Sequence, residues 1–217
     1  MNLRIASGLG WLVPETLLTN SSKDAEEFIN GCGGRGSIYK VLTYYFDAEG
    51  ETIFTSEIGT SDILSHPDNV RMVPIQLQEK IIKKHELRIT VVGQQIFAAK
   101  ISSQASAATA LDWRRDQSQN TLYEAFVVPP ELSRRILELH DAFGLYYGAY
   151  DFICNDRDEL VFLEVNPSGQ FLWVEIHTGL PISQAVAEAL VKPQQHLAHR
   201  LELGLCAAPP GPNPSNR

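Results

Sequence analysis

Cysteine is scarce in this sequence, and the few present form no pattern. Cys32, Cys154 and Cys206 are widely spaced, odd in number and without a CxxC. Such a set supports neither a disulfide framework nor a thiolate zinc site, and fits a reducing compartment. No apolar run approaches the ~20 residues that span a bilayer. The opening MNLRIASGLGWLVPE lacks the charged, apolar, small-residue order of a signal peptide. The expectation is a cytoplasmic protein with no membrane partner. A basic run is also missing: 18 Lys and Arg against 26 Asp and Glu leave a net charge of −8. Binding to a phosphate backbone needs clustered cations, so no nucleic-acid partner is expected. There is no internal repeat and no GxxxxGK[ST], so the glycines of GCGGRG read as a helix stop rather than a phosphate loop.

What is present is an ordinary globular composition, 44% hydrophobic over 217 residues. It is enough for one large domain or two small lobes. The first residues read as the tail of a helix ending at Gly8-Leu9-Gly10. TNSSKDAEEFIN supplies capping oxygens and an acidic first turn, a helix start. SIYKVLTYYF and ETIFTSEI predict a hairpin around DAEG, MVPIQLQEKI a strand, and LRITVV with IFAAKI a hairpin turning at Gly93-Gln94. Leu132, Ile136, Leu139 and Phe143 recur at helical spacing before Gly144. YGAYDFIC and LVFLEVN predict a third hairpin around NDRDE. A short helix follows near ISQAVAEALVK, with Ala185, Val186, Ala189 and Leu190 on one stripe. Hairpins dominate and strand–helix alternation is missing, so the fold class is α+β. The Pro-rich end, residues 206–217, reads as a disordered tail.

The last hairpin carries the sharpest chemistry. With its turn centred between Arg157 and Asp158, Asn155 faces Leu160, Ile153 faces Phe162, and Asp151 falls opposite Glu164 with Cβ atoms ~5 Å apart. Asn166 shares the face of Glu164, because strand side chains alternate. Tyr150, Phe152, Cys154, Val161, Leu163 and Val165 would form the apolar face. Opposed carboxylates repel, so either one is protonated or a cation sits between them. Asp, Glu and Asn offer hard oxygen donors suited to Mg²⁺. Pattern alone leaves a solvated sheet face with two unrelated acids equally open.

These residues resemble the ATP-grasp superfamily, whose magnesium ligands are an Asp on one strand and Glu-x-Asn on the next. The closest likeness is to peptide-maturing ligases of the microviridin, or graspetide, type, relatives of the ribosomal-protein glutamate ligases. It runs through VPETLLTN, HELRITVVG, LDWRR and above all FLEVNPSGQFLWVEIHTGLPIS. The resemblance implies an ATP-grasp fold of two lobes with mainly antiparallel sheets, residues 1–78 and 79–205, without the N-terminal domain that full members carry. It implies Asp151, Glu164 and Asn166 as ligands of Mg²⁺, two ions in all. It places adenine on the hinge Glu79, Lys80, Ile81 and Ile82, the ribose on Glu86, and the ATP phosphates on Lys40. Arg88 would hold the γ-phosphate or acyl phosphate, and Arg114, in Asp112-Trp113-Arg114, the acidic acceptor side chain.

The implied activity is ATP- and magnesium-dependent. An Asp or Glu side chain of a ribosomally made precursor peptide, docked through its leader, becomes an acyl phosphate. A Ser or Thr hydroxyl or a Lys amine then displaces phosphate, giving an ester or amide cross-link. Two alternatives stand beside it: glutamate-ligase-like addition of amino acids to a protein, and a truncated nucleotide- or peptide-binding module without catalysis. A homodimer is left open. Taken singly, Lys40 is an ordinary strand-edge charge, Glu86 and Arg88 a solvated strand face, and Arg114 with Arg115 surface charge in a loop. His196 and His199 have i, i+3 spacing but no third ligand, and read as a solvated helix face. Trp173 reads as core or pocket wall. The family's Asn-Pro-Asn-Gly-Gln-Trp is here Asn166-Pro167-Ser168-Gly169-Gln170-Phe171, which keeps the metal residue and alters the pocket wall.

Overall fold

A computed structural model describes residues 2–42, 54–105, 109–115 and 123–191. In chain order the elements are α1 (Asn2–Gly8), β1 (Thr16–Thr19), α2 (Ser22–Cys32), β2 (Ser37–Lys40), β3 (Ser56–Ile58), α3 (Thr60–Ser65), α4 (Pro67–Met72), β4 (Ile75–Glu79), β5 (Lys83–Val92), β6 (Gln95–Ile101), β7 (Tyr123–Ala125), α5 (Pro130–Ala142), β8 (Tyr147–Asn155), β9 (Leu160–Asn166), α6 (Leu172–Thr178) and α7 (Ile182–Val191). The predicted turn at DAEG, the two tail histidines, Cys206 and the Pro-rich end lie outside the described residues. Cys32 and Cys154 are free and buried. No helix among the described residues is long and apolar enough to cross a membrane.

Two antiparallel sheets result, one ordered β1-β4-β2-β3 and the other β7-β6-β5-β8-β9. The α+β expectation holds. In the four-stranded sheet, β2 and β3 pair as the predicted hairpin arms, Ser37 opposite Ile58. Helix α2 covers this sheet because Ala25 and Ile29 share a stripe, and they pack with Ile63, Val70 and Leu77. Its start is fixed by Ser21, whose Oγ accepts from the Asp24 amide at 3.3 Å. Sequence reading missed β1 and the short β7, which have too few residues to show a period.

The five-stranded sheet has two unlike faces, and the alternation of β5 produces them. Leu87, Ile89 and Val91 enter a core with Ala6, Trp11, Ile136, Leu139, Tyr150, Phe152 and Phe162. Helices α1 and α5 close that side. The alternate residues Glu86 and Arg88 turn to the other face, part of which is covered where α6 and α7 bury Val174, Ile182 and Ala185 against Val92, Phe97 and Ala99. Gly93 turns β5 into β6 at φ 60°, a left-handed conformation that costs glycine nothing. Its Cβ would in addition meet the Tyr146 hydroxyl at 2.8 Å.

One predicted register needs correction. Near the turn, Cys154 pairs with Leu160 and Ile153 with Val161, one residue from the expected pairing. The loop is Asp156-Arg157-Asp158, with Asp158 left-handed at φ 61° and the Asn155 side-chain oxygen accepting from the amides of Arg157 and Glu159. Such three-residue loops shift a hairpin by one position. A bulge then follows: Phe152 faces Phe162 but Asp151 faces Glu164, leaving Leu163 unpaired. The extra residue restores the carboxylate pairing. It also sends Phe162 rather than Leu163 into the core, against expectation.

Candidate functional site

Three adjacent strands place their chemistry in parallel rows across the open face of the larger sheet. Arg88 on β5 is registered with Asp151 on β8, and Asp151 with Glu164 on β9. One row towards α6, Thr90 aligns with Ala149 and Asn166; on the other side, Glu86 aligns with Ile153 and Val161. The bulge at Leu163 is what lets Val161, Glu164 and Asn166 fall in these rows together.

This face forms the floor of a cavity of about 720 Å³, lined also by Ile38, Lys40, Gln78 and Glu79 from the smaller sheet. Lys40, Glu79, Ile81, Glu86, Arg88, Arg114, Asp151, Glu164 and Asn166 all line it. Lys80 and Ile82 do not place their side chains there. The Lys80 ammonium reaches Glu57 at 2.5 Å, and Ile82 is 59% exposed. Glu79 is buried: it accepts from the Glu15 amide at 3.1 Å and lies 2.9 Å from Arg35, so it ties the start of the connection between the sheets to β1.

Arg88 directs Nη1 at both oxygens of Asp151, 2.9 Å each, and Nη2 at the Gln170 carbonyl, 3.1 Å. Its Nε is buried without a partner, so part of its donor capacity is unspent. Gly169 makes the arrangement sterically feasible. A Cβ there would lie 2.5 Å from Cβ of Ala149 and 2.8 Å from Nη2 of Arg88. Asn166 Oδ1 accepts from the Ser168 amide at 2.9 Å and from the Ser168 hydroxyl at 3.2 Å, which orients the carboxamide.

Electrostatics follow from crowding. Burial in the walls, then the charge of Asp151, raise the Glu164 carboxyl above its ordinary value, against Lys40, Arg114 and Arg88. Burial lowers the Lys40 ammonium; Glu164 opposes that shift and Arg114 adds to it. Desolvation likewise raises Glu86, despite Lys83 at 2.6 Å. Burial alone would raise Asp112, but the Arg114 guanidinium more than cancels it and holds the carboxyl low. That pair is a two-bond fork, Nε to Oδ1 at 2.8 Å and Nη2 to Oδ2 at 2.7 Å. Asp112 thus occupies one edge of the guanidinium and leaves Nη1 outside the fork.

Reading the sequence missed Lys83, Tyr123 and His177. Lys83 carried a signal in its i, i+3 spacing from Glu86. His177 lies four residues beyond Trp173 on α6, a helix not predicted, and no local pattern brings Tyr123 to it. These rings and Trp113 form an aromatic wall: Trp113 to Trp173 4.7 Å, Tyr123 to Trp173 5.4 Å, Tyr123 to His177 4.5 Å between centroids.

Asp151, Glu164 and Asn166 fit a divalent cation by donor chemistry. Asp151 faces Glu164 in the register, burial and Asp151 raise the Glu164 carboxyl, and Asn166 lines the same cavity. Among the described residues no group of three His, Cys, Asp or Glu could hold a metal by itself. Two carboxylates and an amide suit an ion whose other ligands come from phosphates and water.

This two-sheet α+β fold, with a cationic and carboxylate-lined cavity against the open sheet face, is that of an ATP-grasp domain. Residues 6–190 match the RimK-like ATP-grasp domain, and the chain belongs to that family. Among solved structures it is similar to macrocyclase MdnC of Microcystis aeruginosa MRC bound with precursor peptide MdnA, at 36% identity and TM-score 0.75 over 88% of this chain and 59% of that one. A Chryseobacterium gregarium RiPP-associated ATP-grasp ligase, in complex with ADP and a leader and core peptide, shares 35% identity at TM-score 0.78 over 88% of this chain and 58% of its own. Macrocyclase MdnB of Microcystis aeruginosa MRC shares 32% at TM-score 0.69, with 88% and 58% covered. The chain thus spans somewhat under two thirds of the length of these relatives. No curated protein matches it.

Proposed function

We propose that the protein is an ATP- and magnesium-dependent ligase that cross-links side chains of a ribosomally made precursor peptide. The observation that carries this reading is the row Arg88–Asp151–Glu164, set beside Lys40 and Glu86 in one cavity. A macrocyclase and a RiPP-associated ATP-grasp ligase, both peptide-bound and about a third identical, support the substrate class. Residues 1–78 and 79–205 serve as the two lobes, and a leader segment docks the peptide.

In this reading the connection Glu79–Ile82 receives adenine through its backbone and Ile81, and Glu86 the ribose hydroxyls. Lys40 and Arg88 neutralise the phosphates. Asp151, Glu164 and Asn166 would hold Mg²⁺, which would supply charge cancellation on the transferring phosphoryl group. Arg114, stiffened by Asp112, orients the acceptor carboxylate. A carboxylate oxygen attacks the γ-phosphorus and ADP leaves. The resulting acyl phosphate is then attacked at carbon by a hydroxyl or amine, and phosphate departs. Alignment and charge cancellation do most of the work in such transfers.

Product mass tests the reading. Protein, ATP, magnesium and the short peptide encoded beside its gene should yield peptide lighter by one water per link. A heavier peptide would indicate amino-acid addition instead. Stabilisation by ATP without phosphate release would leave only a binding module.

A further inference from the structure

We infer that His177 is the general base that removes the proton from the attacking hydroxyl or amine, an assignment that rests on the ligase reading above. His177 lines the same cavity as Arg114 and Glu164. Its Nδ1 lies 2.6 Å from the carbonyl oxygen of Trp173, one turn earlier on α6. A carbonyl only accepts, so Nδ1 carries the hydrogen. In the base form of the ring the lone pair then lies on Nε2. The backbone thereby selects the tautomer a base needs. The Tyr123 ring packs against the imidazole, tilted 48° to it with centroids 4.5 Å apart.

The other acidic groups of the cavity are already committed. Glu79 pairs with Arg35, Glu86 with Lys83, Asp112 with Arg114 and Asp151 with Arg88. Glu164 faces Asp151 as part of the cation site. Among the described residues lining the cavity, His177 supplies the imidazole. Its ring is linked through Tyr123 and Trp173 to Trp113, the residue before Arg114.

The step balances. As oxygen or nitrogen bonds to the acyl carbon, its proton passes to Nε2. The C–O bond to phosphate breaks with its electron pair on phosphate, and the imidazolium afterwards releases its proton to water. An alcohol needs this help because its proton is held tightly; hydroxylamine, nucleophilic while neutral, does not.

The test compares the unaltered protein with His177→Gln, using ATP, magnesium and the peptide encoded beside the gene, with and without hydroxylamine. Ring closure should fall about 10²- to 10⁴-fold, the range of general-base catalysis. Hydroxamate formation at the activated carboxylate should stay comparable. Equal loss of both products would mean a structural or binding role and overturn the inference, as would undiminished ring closure. Failure of the unaltered protein to give hydroxamate would overturn the ligase reading itself, and this assignment with it.

Discussion

Arg88 donates through one terminal nitrogen to both carboxylate oxygens of Asp151, 2.9 Å each, from the neighbouring strand. The cation that stiffens this aspartate comes from within the sheet, and its buried Nε has no partner. With Asp151 so engaged, a divalent ion held as proposed would share the carboxylate with Arg88.

Replacing Asp151 with Asn tests this arrangement in two ways. The variant leaves a buried guanidinium without its counter-charge, at a cost of about 1–3 kcal/mol. It should also lose the magnesium-dependent thermal stabilisation by ATP. A melting shift equal to that of the unaltered protein would count heavily against the metal assignment.

Gly169→Ala should act through Arg88 rather than through the turn itself. The added carbon would press on Ala149 and on Nη2 of Arg88, so the 166–170 segment must move. Overpacking of this sort costs about 1–3 kcal/mol. Denaturant midpoints should fall, and ATP stabilisation should weaken with them because Asn166 shifts too.

Glu86 gives a pH signature with a definite sign. Its folded value lies above the ordinary one, chiefly through burial. The folded state therefore binds more protons than the unfolded chain between those two values, and stability falls as pH rises through that window. Relative to Glu86→Gln, the unaltered protein should be favoured at the acid end, and the difference should decline upward from pH about 4.5. A difference flat in pH, measured by thermal melting, would contradict the shift.

Arg114→Lys keeps the charge and removes the planar fork. Cross-linking should drop by about 10- to 100-fold, the cost of misplaced geometry, while ATP-dependent stabilisation persists. Asp112→Asn should reproduce part of that loss by freeing the guanidinium. If ATP stabilisation vanished in either variant, the cavity would be divided differently.

Much of this was legible locally. Alternation along YDFIC and LEVN put Asp151, Glu164 and Asn166 on one face, and Gly93 and Gly144 marked their turns, because strand alternation and left-handed φ are properties of a few adjacent residues. The arms of three hairpins followed for the same reason. The turn register was misread, since the left-handed Asp158 and the bulge at Leu163 depend on which residues the core accepts.

Residue types and short-range spacing thus determined the hard-donor set, the α+β character and the cationic partners. Lateral registry and chain return determined everything that combines them. Arg88 meets Asp151 across 63 positions of sequence, Lys40 arrives from a different sheet, and His177 comes to the aromatic wall on a helix with no signal of its own. Side-chain direction is set within two residues, whereas which strand lies alongside is decided by burying Leu87, Tyr150, Phe152 and Phe162 together.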